Sequence, residues 1–73
     1  MAKLAPVRPK DLVRAIAKIG FYKHHQVGSH ATYRHSDGRR VTIPMHNREL
    51  RKGTLHGILK DIDLSVEKLK ELL

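Results

Sequence analysis

Two glycine-containing breaks, Gly28-Ser29 and Ser36-Asp37-Gly38, divide residues 21–45 into runs of strand length, and no other feature restricts the fold as strongly. Short loops of this kind join antiparallel neighbours, so the runs 21–27, 30–35 and 39–45 are predicted to form a three-stranded meander. The register of the second hairpin follows from side-chain alternation. A two-residue Asp37-Gly38 loop would pair Arg34 with Val41 and Thr32 with Ile43. A three-residue loop, with Gly38 in the left-handed conformation, pairs Tyr33 with Val41 and Ala31 with Ile43. The second choice gathers the apolar side chains on one face and leaves His30, Thr32, Arg34, Arg40 and Thr42 on the other. The first run, Phe21 to Val27, alternates too poorly for its faces to be assigned. Pro44 has no N–H for a ladder and belongs at an edge or a strand end.

Helical spacing brackets the meander. Leu12, Ile16 and Ile19 follow Pro9, which suits a first helical turn, and Gly20 stands where a helix-terminating glycine would stand, so a helix is predicted over 9–19. Leu55, Ile58, Leu59 and Ile62 match the i, i+3, i+4, i+7 pattern of a second helix, with Thr54 as its N-cap. Leu64 ends that stripe, and Ser65 caps a short last helix that turns Val66, Leu69 and Leu73 inward. Residues 46–53 form a polar, basic loop, and residues 1–8, with Pro6 and Pro9, read as a loose arm before a single domain over 9–73. The order α-β-β-β-α, with both helices on one sheet face, is a two-layer α+β domain. Double-stranded-RNA-binding domains share that order.

A chain of 73 residues without cysteine has neither disulfides nor a cysteine zinc site, and must rely on a small apolar core or on a partner. Its apolar runs are too short to span a membrane and its start lacks a signal-peptide stretch, so a soluble cytoplasmic protein is the expectation. Fifteen Lys and Arg against seven Asp and Glu give a net charge of +8. Residues 1–60 hold thirteen of the basic groups and only three of the acidic ones, which favours a polyanionic partner over a merely solubilising surface.

The chain contains no cysteine nucleophile, paired carboxylates or phosphate loop, and Phe21, Tyr22 and Tyr33 are too few for a base-stacking platform. Its unusual feature is six histidines. Metal binding is disfavoured because no helix-spaced ligand pair is present and adjacent His24 and His25 would point to opposite faces of a strand. No metal or cofactor is therefore expected. His24, His25, His35 and His56 read as surface or rim residues. His30 differs by position. It follows the Gly28-Ser29 turn, whose backbone can approach a phosphate closely, and it lies on the polar face. A neutral imidazole there can act as general base on a ribose 2′-OH, leaving a 2′,3′-cyclic phosphate and a free 5′-OH. Arg34, Arg39 and Arg40 are candidates for binding nearby phosphates or transition-state charge, and Lys23, Arg48, Arg51 and Lys52 extend the RNA-binding set. His35 and His46 are candidate accessory acids. On position alone, a hairpin-tip histidine with no role is the favoured reading of His30.

Gly28-Ser29-His30, Tyr33-Arg34-His35, Asp37-Gly38-Arg39-Arg40 and Val41-Thr42-Ile43-Pro44, in that order, resemble the central signature of the HicA (YcfA-like) toxin family. His46, Leu50, Gly53-Thr54-Leu55 and Ile58-Leu59 continue it, Gly20-Phe21 precedes it, and the match covers about residues 10–65. The resemblance implies a ribosome-independent, mRNA-cleaving toxin with a double-stranded-RNA-binding-domain-like fold, neutralised by a HicB-type antitoxin that covers the catalytic histidine. That histidine, which follows Gly-Ser in the family, maps to His30, with Gly28 as the turn residue. Ala31 departs from the many relatives that carry a second histidine there, which rules out a scheme using adjacent histidines. The arm from Met1 to Arg8 is longer than the resemblance implies. The alternative is a non-catalytic RNA-binding or antitoxin-binding module of the same fold.

Overall fold

The computed structural model describes residues 5–73, and within them the three expected runs form one antiparallel sheet in the order β1-β2-β3. The strands are β1 (Tyr22–Val27), β2 (His30–Arg34) and β3 (Arg40–Pro44). The second hairpin takes the apolar register, pairing Ala31 with Ile43 and Tyr33 with Val41. Its loop closes through the N–H of His35 to the carbonyl of Arg39 at 2.9 Å, with Gly38 at φ +98°. Ala31, Tyr33, Val41 and Ile43 are buried under the helices, and the opposite face stands open. Thr32 is the buried exception there, 3.4 Å from its cross-strand partner Thr42 through their hydroxyl oxygens.

Strand β1 explains its own illegibility. All six of its residues are exposed, so burial imposes no alternation on them. The register also slips between Lys23 and His25, as a β-bulge at His24. The bulge corrects the expectation that His24 and His25 point apart, because their ring centroids lie 5.3 Å from each other, edge to face.

Helix α1 spans Pro9–Ala17, α2 Lys52–Asp61 and α3 Val66–Leu72. Helix α1 is two residues shorter than predicted, because the N–H groups of Lys18 and Ile19 reach back only three residues and tighten the last turn. Gly20, at φ +100°, then closes it as a Schellman motif, with Phe21 N–H bonded to the Ile16 carbonyl at 3.1 Å. Helix α2 ends the same way on Asp63, a non-glycine residue at φ +54°, with Leu64 N–H bonded to the Leu59 carbonyl at 2.9 Å. Its start differs from the expectation. Arg51, not Thr54, is the N-cap, and the N–H of Leu55 already bonds the Arg51 carbonyl at 2.8 Å. The apolar stripe of α2 fixes its buried face but not its first residue. In α3 the cap is as predicted, Ser65 accepting from Lys68 N–H at 3.0 Å, but Leu73 is exposed and Leu72 packs in its place. Leu69 is fully buried, which is worth about 1.5–3 kcal/mol.

The eight side chains expected in the core, Leu12, Ile16, Val41, Ile43, Leu55, Ile58, Leu59 and Ile62, are all buried there. Val7, Phe21 and Leu50 join them. Of the segment read as a loose arm, residues 1–4 lie outside the described residues, whereas Val7 is 3% exposed and its carbonyl accepts from Leu50 N–H at 2.7 Å.

Candidate catalytic hairpin and nucleic-acid surface

The Gly28-Ser29 turn is a two-residue hairpin loop, Val27 pairing with His30 across it. Gly28 has φ +57°, the value that a two-residue turn asks of its first central residue, and no other group lies within 4 Å of where a Cβ would stand. The Cβ side of the turn is thus open, while the Gln26 side-chain amide donates to the Gly28 carbonyl at 2.9 Å. On the other side the Ser29 carbonyl accepts from Met45 N–H, which ties the turn to the end of β3. His30 opens β2 between Val27 and Pro44, and its side chain is exposed on the open face. Ala31, by contrast, is fully buried on the helix side, so the position next to His30 in sequence does not share its surface.

The open face also carries Arg34 and Arg40, which are register partners at the far end of the strands. Arg34 lies four steps along the strand from His30, about 13 Å. That spacing suits phosphates farther along a bound strand, not one held at His30. Lys23 pairs with Tyr33 and so stands on the helix side of the sheet, exposed at its edge. Burial raises the Tyr33 hydroxyl above the ordinary phenol value, and its side chain faces the core, away from the open surface. Arg48, Arg51 and Lys52 are exposed on the loop that enters α2 and on its first residue. No acidic residue occupies that first turn.

Arg39 and His35 occupy quite different surroundings. The Arg39 guanidinium bonds the Asp37 carboxylate at 2.8 Å and the Ile62 carbonyl at the end of α2 at 2.6 Å, and lies 5.1 Å from the centre of the Phe21 ring. A cation at a helix C-terminus also meets the negative end of its dipole. The Arg39 N–H foremost, with its guanidinium and His35, holds the Asp37 carboxyl below the ordinary carboxylate value, against an opposing effect of desolvation. The His35 ring packs edge-on against Phe21 with centroids 5.0 Å apart. Its Nε2 lies 2.8 Å from the Ile19 carbonyl, which can only accept, so that nitrogen carries a proton. Its Nδ1 meets the Asp37 N–H and carboxylate, both at 3.1 Å. In the neutral ring Nδ1 accepts the N–H. Both residues tie the β2–β3 loop to the ends of α1 and α2.

His46 is exposed two positions past Pro44, and its Nδ1 accepts from Arg48 N–H at 3.1 Å. Beside it lie Arg8 and Lys10, which line one cleft with Met45, His46 and Asn47. Sequence reasoning missed that pair. The signal was two cations flanking Pro9, which is buried and fixes where they emerge. Among the described residues no three His, Asp or Glu side chains gather as a metal site, and no helix is long and apolar enough to cross a membrane.

Residues 9–64 match the family described as HicA toxin of bacterial toxin–antitoxin systems, a span that takes in α1, the whole sheet and α2. No curated protein matches the chain significantly. With well over half of its length inside that match, the chain belongs to the HicA toxin family of bacterial toxin–antitoxin systems.

Proposed function

We propose that the protein is a metal-independent endoribonuclease toxin that cuts mRNA with His30 as its general base. The observation that carries this reading is the exposure of His30 immediately after a positive-φ glycine turn that is open on its Cβ side, on a sheet face furnished with arginines. The Gly28-Ser29 backbone receives the scissile phosphate. The His30 imidazole takes the proton of the adjacent 2′-OH, and the 2′ oxygen attacks phosphorus. The bond from phosphorus to the 5′ oxygen breaks, that oxygen gains a proton, and a 2′,3′-cyclic phosphate and a 5′-OH result. His46 is the better candidate for the accessory acid, since His35 is committed to Ile19 and Asp37. Arg34, Arg40, Arg48, Arg51 and Lys52 hold phosphates to either side.

An antitoxin partner follows from membership of a toxin–antitoxin family. A HicB-type antitoxin that buries His30 and sets acidic groups against Arg34 and Arg40 would block both substrate and base. The second reading, a non-catalytic RNA-binding or antitoxin-binding module, draws on one observation: among the described residues no hydrogen bond orients the His30 ring, unlike those of His35 and His46.

The reaction is tested with RNA carrying a 2′-O-methyl group at the mapped cut. Cleavage should stop at that position only, and unmodified RNA should yield cyclic phosphate ends. Continued cleavage of the modified RNA, or 5′-phosphate products, would exclude the 2′-OH route.

A further inference from the structure

Just beyond the His30 end of the sheet, a cleft of about 270 Å³ opens between the segment entering α1 and the loop leaving β3. Arg8 and Lys10 form one wall, and Met45, His46 and Asn47 the other. The walls are held by structure that the RNA-cutting reading leaves unexplained. Pro9, between the two cations, is buried and starts α1. Val7 and Leu50, which flank the two wall segments, are both buried, and Leu50 N–H bonds the Val7 carbonyl at 2.7 Å. Arg48 N–H fixes His46 Nδ1, so in the neutral ring its free Nε2 carries the proton.

The chemistry of the lining is specific. Two cations suit a phosphate, a thioether suits the face of a flat ring, and the Asn47 carboxamide offers a donor and an acceptor side by side. Among the described residues no acidic side chain lines the cleft. Its volume falls just under the roughly 300–1,000 Å³ of ordinary small-ligand pockets, room for one base and not for a helix. It is also close to the candidate catalytic residue. Pro44 is the register partner of His30, and Asn47 follows three residues later, within about 10 Å of chain. A neighbouring nucleotide can bridge that distance.

We propose that this cleft binds the base and phosphate of one nucleotide next to the scissile phosphate, Asn47 reading the base edge and Arg8 and Lys10 holding its phosphate. The inference rests on the RNA-cleaving reading and adds to it where sequence preference arises. Phosphate contacts alone position a strand without reading it, whereas a carboxamide on a base edge is worth roughly five- to hundredfold in discrimination.

The test titrates the full-length protein with each of the four nucleoside 5′-monophosphates, and with inorganic phosphate, following backbone amide resonances. Nucleotides should shift Lys10 and Met45 to Arg48 at concentrations where phosphate does not, with one base preferred. Asn47→Ala should weaken that nucleotide at least roughly fivefold and level the four. Asn47 is exposed, so folding should be kept, and the amide spectrum verifies it. Lys10→Gln should weaken all four alike. Equal affinity for inorganic phosphate, shifts confined elsewhere, or unchanged base preference in Asn47→Ala would each overturn the proposal. In parallel, mapped cuts in randomised RNA should show a base preference at one flanking position that Asn47→Ala erases; a preference that survives the substitution counts against the cleft. Should the wild type cut no RNA, the nuclease reading falls while the titration still decides whether the cleft holds a nucleotide.

Discussion

His30 opens β2 and His35 follows directly after its last residue, and the chain treats them in opposite ways. His30 is exposed beside a turn whose glycine, among the described residues, faces open space in the Cβ direction. His35 is 17% exposed at its side chain, bonded through both ring nitrogens and pressed against Phe21. One end of the hairpin spends its histidine on structure, where every polar contact is local to the fold. The other leaves its histidine and turn backbone available to something outside the molecule. Residue type did not separate them; the difference is made by Ile19, Gly20, Phe21 and Asp37, which converge on the His35 ring and, among the described residues, have no counterparts around His30. The division can be broken or sharpened by asking which substitutions cost stability and which cost activity.

The largest loss of stability is expected for His35→Ala. It removes the bond to the Ile19 carbonyl and the ring contact with Phe21, leaving a part-buried acceptor without its partner. About 2–3 kcal/mol should be lost, which lowers Tm by roughly 10–20 °C in a domain of this size. A melt unchanged by the substitution would remove His35 from the structural side. Gly20→Ala comes next, at about 2 kcal/mol. Its φ of +100° disfavours any side chain, and a Cβ would stand 2.9 Å from His35 Nε2. Thermal denaturation of Gly20→Ala made in the His35→Ala background sharpens the point, because removing the imidazole should relieve part of the penalty.

Arg39→Ala should cost about 1 kcal/mol through its contacts with Asp37 and the Ile62 carbonyl. It also separates two kinds of arginine. With an uncleavable 2′-O-methyl RNA, Arg34→Ala and Arg40→Ala should each reduce the log–log salt slope by about one, and Arg39→Ala should leave it alone. A reduced slope for Arg39→Ala would return that residue to the RNA-binding set.

These contrasts also show what was legible. The second hairpin could be read to the residue, because Ala31, Tyr33, Val41 and Ile43 alternate and only one loop length brings them together. Strand β1 could not, because no face of it is buried and a bulge breaks its period. Val7 and Leu50 are single apolar residues in polar segments and meet only through the fold. At the candidate site, the place of His30 on the open face was legible from its turn and register, though its role was not. The work of Arg39 and His35 was not, since Ile19 and Ile62 lie sixteen and twenty-three residues away from their respective partners. Two cations beside Pro9 were likewise invisible as cleft residues until α1 and the β3–α2 loop were side by side.

Acid sets a gentler test. Asp37 has its carboxyl lowered below the ordinary value of 3.8, first by the Arg39 backbone N–H and then by the Arg39 side chain and His35. A depressed folded-state value means that the contribution is complete above the unfolded value and is lost as pH falls through the folded one. The stability difference between wild type and Asp37→Asn should therefore shrink only below about pH 4. Acid titration of the two melts checks this, and a difference that already fades near neutrality would point to another group.

The smallest loss of stability is expected at His30, and that is the central claim. His30→Ala and His35→Ala should be compared side by side for melting and for RNA cleavage at a temperature where both remain folded. His30→Ala should melt within about 0.5 kcal/mol of wild type, as a surface substitution does. It should also lose roughly 10²- to 10⁴-fold in cleavage rate, the usual contribution of a general base. His35→Ala should melt early and, while folded, keep cutting. If His30→Ala instead cuts RNA at the wild-type rate, His30 is not the base and the non-catalytic binding module becomes the account of this surface.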